Sequence, residues 1–156
     1  MTAIRFFIIS FFIFDISIGL TQTKQEKGVE YNNLEEALKN PNKVYRLNLG
    51  NQKNLPKKFD LSVFKNLETI YLNREKNLNL TNAIVILGKL PGLKNLHLES
   101  DNLKSLPAEI LVLKKLEYLN LNNNQLNEIP KLDNLDHLKF LDMRKNQISP
   151  DRKSVV

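Results

Sequence analysis

No cysteine occurs among the 156 residues, which excludes disulfides, thiolate metal sites and a cysteine nucleophile. Histidine is nearly absent too. His97 and His137 stand 40 positions apart, and neither has a second ligand at metal spacing. No nucleotide-binding glycine fingerprint, H-E-x-x-H or G-x-S-x-G motif is present. These gaps argue against an enzyme, a metal site or a cofactor. Apolar residues at 42% and charged residues at 26% are ordinary globular values, which exclude a disordered chain and a polytopic membrane protein. The formal charge is +6, but no arginine-rich helix or paired aromatic platform accompanies the lysines, so nucleic acid is not an expected partner. Lys53, Lys57, Lys58, Lys76, Lys104, Lys114, Lys115 and Lys131 read as a solvated surface of turns and returns.

The start of the chain has a separate character. Arg5 precedes an apolar run from Phe6 to Phe14, Asp15 interrupts it, and Ser17 and Gly19 supply small residues at its exit. This is the layout of a secretory signal peptide over residues 1–19, with cleavage freeing Leu20. The run is short for a spanning helix, which needs about 20 apolar residues. The expected location is therefore secreted or cell surface, with an uncleaved anchor as the alternative and no stable membrane insertion after cleavage. Residues 20–30 read as a polar, flexible lead-in.

What the chain has in abundance is leucine, 28 residues, and asparagine, 21 residues, both at a fixed period. The pattern Leu-x-x-Leu-x-Leu recurs at Val44/Leu47/Leu49, Leu67/Ile70/Leu72, Leu93/Leu96/Leu98, Leu116/Leu119/Leu121 and Leu138/Leu141/Met143. The starts are 23, 26, 23 and 22 residues apart. Alternation in a strand sends the last two apolar positions of each copy inward and the residues around them outward. One copy cannot bury its apolar face alone, so stacked copies must share a core.

The pattern resembles the leucine-rich repeat family, L-x-x-L-x-L-x-x-N-x-L, which Leu116, Leu119, Leu121, Asn124 and Leu126 match throughout. Leu106-Pro107-x-x-Ile110-x-x-Leu113 is similar to the L-P-x-x-I variant of secreted bacterial members. The resemblance covers about residues 30–148 and implies an α/β solenoid: a horseshoe with about five parallel strands on its concave face. The repeats would run 44–66, 67–92, 93–115, 116–137 and, in part, 138–148. Residues 82–89 suit a helical return, and Pro56, Pro107 and Pro130 mark where other returns leave the strand region. In the family the ninth-position asparagine turns inward and bonds free backbone groups. Asn124 and Asn146 fit; Asp101 can only accept when ionised. Gln52 and Glu75 depart from the pattern, with Asn54 and Asn77 as substitutes.

Residues 31–43 read as an N-terminal cap helix, with Asn33 as N-cap, Glu36 three residues on, Tyr31, Leu34 and Leu38 on one face, and Pro41 beyond its end. The tail 149–156 leaves little or no C-terminal cap, which would expose the last strand to fraying or end-to-end self-association. Asn79-Leu80-Thr81 is a formal glycosylation acceptor, without meaning in a host that lacks the machinery.

The outward strand positions are Arg46, Asn48 and Gly50; Thr69, Tyr71 and Asn73; Asn95, His97 and Glu99; Tyr118, Asn120 and Asn122; and Phe140, Asp142 and Arg144. Strand spacing of about 4.8 Å pairs Tyr71 with His97 and Tyr118 with Phe140, and leaves Glu99 and Asp142 about 10 Å apart. Exposed Tyr, Phe and Arg are the residues from which interface hot spots are drawn. The candidate binding residues on the concave face are Arg46, Tyr71, His97, Glu99, Tyr118, Asn120, Phe140, Asp142 and Arg144. The sequence thus reads as a secreted, non-enzymatic module that binds a protein on its concave sheet. The alternative is a structural or adhesive surface component that holds polysaccharide or matrix through its basic outside.

Overall fold

The computed structural model describes residues 28–51, 60–75 and 79–148. Several expectations lie outside these residues: the signal segment, most of the lead-in, the tail, Gln52, Asn54, Asn77, Pro56, and the lysines at 53, 57, 58 and 76.

The first apolar residue of each doublet lies at the centre of a three-residue strand, and the second follows it directly. These strands are β2 (Arg46–Asn48), β3 (Thr69–Tyr71), β4 (Asn95–His97), β5 (Tyr118–Asn120) and β6 (Phe140–Asp142). A shorter strand, β1 (Glu30–Tyr31), precedes them, and the six pair in parallel in chain order. The register repeats without slippage: Leu47, Ile70, Leu96, Leu119 and Leu141 stand opposite one another along the stack. The ladder bonds repeat as well. Leu49 N–H donates to Tyr71 O at 2.8 Å, Leu72 to His97 O at 2.9 Å, Leu98 to Asn120 O at 2.8 Å, and Leu121 to Asp142 O at 2.7 Å.

Among the described residues the sheet therefore has six strands where about five were expected. Glu30 had been placed in the lead-in and Tyr31 on the cap helix. Their extended backbone pairs with β2 (Glu30 opposite Arg46, Tyr31 opposite Leu47), and the Glu30 carboxylate reaches Arg46 and Asn48 across the gap. The helix that follows, α1 (Leu34–Lys39), is capped by Asn33, whose side chain accepts from the N–H groups of Glu35 and Glu36. Ala37 is the residue it buries fully, with Leu34 packed beside it, while Leu38 is exposed rather than on the inner face. One turn of helix spaces Leu34 and Ala37 onto a single stripe, and Leu38 falls past its margin.

Leu47, Leu49, Ile70, Leu72, Leu96, Leu98, Leu119 and Leu121 are fully buried. Each contributes about 1.5–3 kcal/mol relative to exposure. The returns close the other side of this core with Leu61, Phe64, Ile84, Leu87 and Ile110. The helical return α2 (Leu80–Leu87) starts two residues earlier than the sequence suggested, because Asn79 Oδ1 accepts from Asn82 N–H at 3.0 Å and caps it there. After Pro107, a 3₁₀ turn (Ala108–Val112) serves the next repeat. In the last repeat, Leu138, Leu141, Met143 and Ile148 are only partly buried. Their one neighbour among the described residues is the repeat before them, which covers them from one side.

Two backbone features recur with the repeat. Asn51, Arg74, Ser100, Asn123 and Lys145, each at the eighth position, adopt φ between 54° and 66°. This left-handed step takes the chain out of the sheet. It costs about 1–2 kcal/mol for most side chains and less for asparagine. The N–H of each of the first four then bonds the neighbouring repeat: Asn51 to Asn73 O, Arg74 to Glu99 O, Ser100 to Asn122 O and Asn123 to Arg144 O, at 2.9–3.2 Å. At Gly50 the adjacent turn comes close, so that a Cβ there would lie 2.7 Å from Asn73 O.

Candidate functional site

The open face of the sheet is a grid in which parallel register fixes every neighbour. One column carries Asn48, Tyr71, His97, Asn120 and Asp142. The next carries Arg46, Thr69, Asn95, Tyr118 and Phe140. Tyr71 and His97 stack with ring centroids 4.2 Å apart. Tyr118 and Phe140 lie at 6.3 Å. Between these pairs, His97 approaches Tyr118 diagonally across the columns at 5.0 Å. Four rings on four successive strands thus form one connected chain. Sequence spacing predicts the two in-column pairs but does not reveal the diagonal contact that joins them. Such a contact is within reach of aromatic side chains on neighbouring strands.

The first end of this chain is tied down by charge. Arg46 Nη2 donates to Tyr71 Oη at 2.7 Å and to Glu30 Oε2 at 3.3 Å, and its guanidinium carbon lies 5.9 Å from the Tyr71 ring centroid. Asn48 Nδ2 adds a bond to Glu30 Oε1 at 3.0 Å. Glu30 is a member of the site that sequence reasoning missed, because it was assigned to no strand. Burial among the rings, with the nearby Arg46 charge adding to it, holds the proton affinity of His97 below the usual imidazole value, and the Glu99 and Glu30 charges oppose this. The centre of the chain is accordingly a neutral ring at neutral pH. The far end is open: Phe140 is 64% exposed.

The remaining candidates divide by what their side chains already do. Asn48 Oδ1 accepts from Gly50 N–H at 3.1 Å, Asn120 Oδ1 from Asn122 N–H at 2.9 Å, and Asp142 Oδ1 from Arg144 N–H at 3.1 Å. All three occupy the residue between the paired inward apolar side chains, and each fastens the strand exit two residues on. Asn120 is buried in this role, so it offers little to a partner. Asp142 also holds Arg144 bidentately at 2.9 and 2.7 Å, and that bond keeps its carboxyl below the usual range. Tyr71 and His97 occupy the same column without this turn bond. Glu99 takes its backbone support from Asn73 Oδ1 at 2.9 Å, and its carboxylate accepts a long bond from Asn122 Nδ2 at 3.5 Å. At the flank, Lys94 pairs with Glu68 at 3.9 Å and Lys139 with Glu117 at 2.7 Å. The recurrence of Asn, Asn and Asp at 48, 120 and 142 was the signal that could have identified the turn role in advance.

The site holds no nucleophile paired with a base. Among the described residues no group of three His, Cys, Asp or Glu is placed to hold a metal ion. No helix among them is long and apolar enough to cross a membrane. The face is an open surface built on a parallel stack of one strand per repeat.

A stack of this kind is an α/β solenoid. Residues 91–148 match the leucine-rich repeat family model, and the register and inward leucines continue the same unit back through β2, so the chain has the leucine-rich repeat fold. A solved leucine-rich repeat protein of Leptospira interrogans is similar to it in sequence and structure. The two are 30% identical, with a TM-score of 0.65, over 78% of this chain and 30% of that one. This chain therefore spans about a third of the length of that relative.

Proposed function

We propose that the chain is a secreted, non-enzymatic recognition module that binds another protein on the open face of its sheet. The observation that carries this reading is the connected chain Tyr71–His97–Tyr118–Phe140, anchored by Arg46 and ending in the exposed Phe140. The core does not require it: the leucines are buried from the other face, and repeats one, four and five keep Asn48, Asn120 and Asp142 where repeats two and three have Tyr71 and His97. Aromatic rings backed by arginine are the groups that dominate protein interfaces. Tyr71 and His97 stack on each other, and Phe140 is the most exposed ring a partner would meet. Leucine-rich repeat solenoids serve as protein-interaction modules, which supports the same class. Secretion rests on the layout of residues 1–19.

The test is retention of a partner from extracellular fractions by the exported chain, repeated with Tyr71→Ala, His97→Ala, Tyr118→Ala and Phe140→Ala. A loss of about 1–2 kcal/mol or more at one or several rings is expected, with the melting transition moved far less than by Leu119→Ala. Unchanged binding by all four would remove the open face from consideration. Intact mass of the exported form should begin near Leu20.

A further inference from the structure

The ninth position of the repeat is occupied by Asn124 in the fourth repeat, Asn146 in the fifth and Asp101 in the third. The two asparagines do the same work. Asn124 Oδ1 accepts from Asp101 N–H at 3.0 Å and Leu103 N–H at 3.1 Å, and Asn146 Oδ1 accepts from Leu126 N–H at 2.9 Å, all in the preceding turn. Asn124 Nδ2 donates to Leu98 O and Leu121 O at 2.7 and 3.0 Å; Asn146 Nδ2 donates to Leu121 O and Met143 O, both at 2.9 Å. In each repeat the acceptor half holds the preceding turn, and the donor half ties two strand ends together.

Asp101 reproduces the acceptor half. Its Oδ1 accepts from Glu75 N–H at 2.7 Å, and the residue is only 3% exposed. Its other oxygen, Oδ2, is buried and has no hydrogen-bond partner among the described residues. By the repeat's own pattern, that oxygen corresponds to the amide nitrogen that Asn124 and Asn146 direct at strand-end carbonyls. A carboxylate there can only accept, which sets negative oxygen against negative oxygen. A carboxylic acid carries the missing donor.

We propose that Asp101 is a neutral carboxylic acid in the folded stack, its proton standing in for an asparagine N–H. The joint between the second and third repeats is then made at acid pH and weakened by deprotonation. By the register of the repeat, the carbonyls available to this proton are those of Leu72 and Leu98. The charged groups that bear on Asp101 are the carboxylates of Glu75, in the preceding turn, and Glu99, on its own repeat; both raise its proton affinity. Backbone N–H groups of Glu75 and Arg74 lower it, and the neutral amide of Asn124 faces it from the following repeat. Burial outweighs these and carries the carboxyl to about 7, so it would titrate near neutral pH. The folded chain then binds this proton more tightly than the unfolded chain, and stability falls as pH rises from the ordinary carboxylate range through about 7. The same joint carries the Tyr71–His97 stack, so the first link of the ring chain crosses it.

The experiment is a carbon-detected NMR titration of the Asp101 carboxyl in the full chain, with melting curves of wild type and Asp101→Asn between about pH 5 and about pH 9. The carboxyl resonance is expected to titrate near 7, well above the ordinary carboxylate range. The wild-type melting temperature should fall across this range, while Asp101→Asn, which supplies the donor permanently, should lose that fall and melt higher than wild type at the alkaline end. A midpoint in the ordinary carboxylate range would overturn the proposal. An unchanged pH dependence in Asp101→Asn would do the same, as would failure of that variant to fold, since an amide fits the place described.

Discussion

Replacing Asn124 with alanine should be among the most damaging single changes available in this chain. The side chain is buried and makes four well-formed hydrogen bonds to backbone: two accepted, from Asp101 and Leu103, and two donated, to Leu98 O and Leu121 O. Alanine removes all four bonds and leaves two N–H groups and the Leu98 carbonyl to find other partners, while Leu121 O keeps its bond from Asn146 Nδ2. Each buried group left unsatisfied costs about 1–3 kcal/mol, and water entering the vacated space recovers part of the sum, so a loss of about 3–5 kcal/mol is expected. Against a total stability of about 5–15 kcal/mol for an ordinary domain, this is a large fraction. Urea unfolding of wild type and Asn124→Ala measures it directly. Lys139→Ala serves as the surface control, because its exposed pair with Glu117 is worth at most about 1 kcal/mol. Hydrogen exchange should place the damage at the joint between the third and fourth repeats. A measured loss under about 1 kcal/mol would refute the argument that these bonds hold successive repeats together.

Gly50→Ala should cost about 1–3 kcal/mol in the same assay, because the new methyl meets the fixed Asn73 carbonyl at 2.7 Å and one of the two backbones must move. Lys145→Gly should raise stability by about 0.5–1 kcal/mol, since relief of the left-handed strain at φ 54° exceeds the entropy glycine adds to the unfolded chain; no gain in melting temperature would count against that strain. Protonation of Asp101 should stabilise the fold at acid pH by at most about 4 kcal/mol, reduced by solvent screening, visible as a decline in stability as pH rises from the ordinary carboxylate range through about 7. Leu119→Ala, which empties a fully buried site in the centre of the stack, should cost about 2–5 kcal/mol in urea unfolding.

Much of the fold could be read in advance because its period is written in residues of one kind. A leucine every second position can face only one way in a strand, so register and core followed directly from Leu96/Leu98 and Leu119/Leu121. What escaped had no periodic marker. Glu30 and Tyr31 form a strand without a leucine doublet, held by pairing to β2 and by the reach of Glu30 to Arg46, which is tertiary information. The left-handed residues at the eighth position are Asn, Arg, Ser, Asn and Lys; a backbone angle shared by such different side chains leaves no common letter in the sequence. At the candidate site the aromatic residues were legible as outward positions. Their linkage was not, because the contact of His97 with Tyr118 depends on side-chain lean across two columns. Nor did outward placement distinguish Asn120, whose amide is consumed by the turn, from Tyr71 and His97, which lack that turn bond.

The strand order β1-β2-β3-β4-β5-β6 has a topological consequence. Every strand pairs only with its neighbours in the chain, and no connection crosses over another. A segment of 22–26 residues could therefore be duplicated or excised in frame at any interior repeat without unpairing more than one seam of the ladder. The new neighbours would present the same leucines and the same strand-end carbonyls to each other. The area of the recognition surface is in this sense a length that can be dialled, in steps of one strand or about 4.8 Å, independently of the chemistry that covers it.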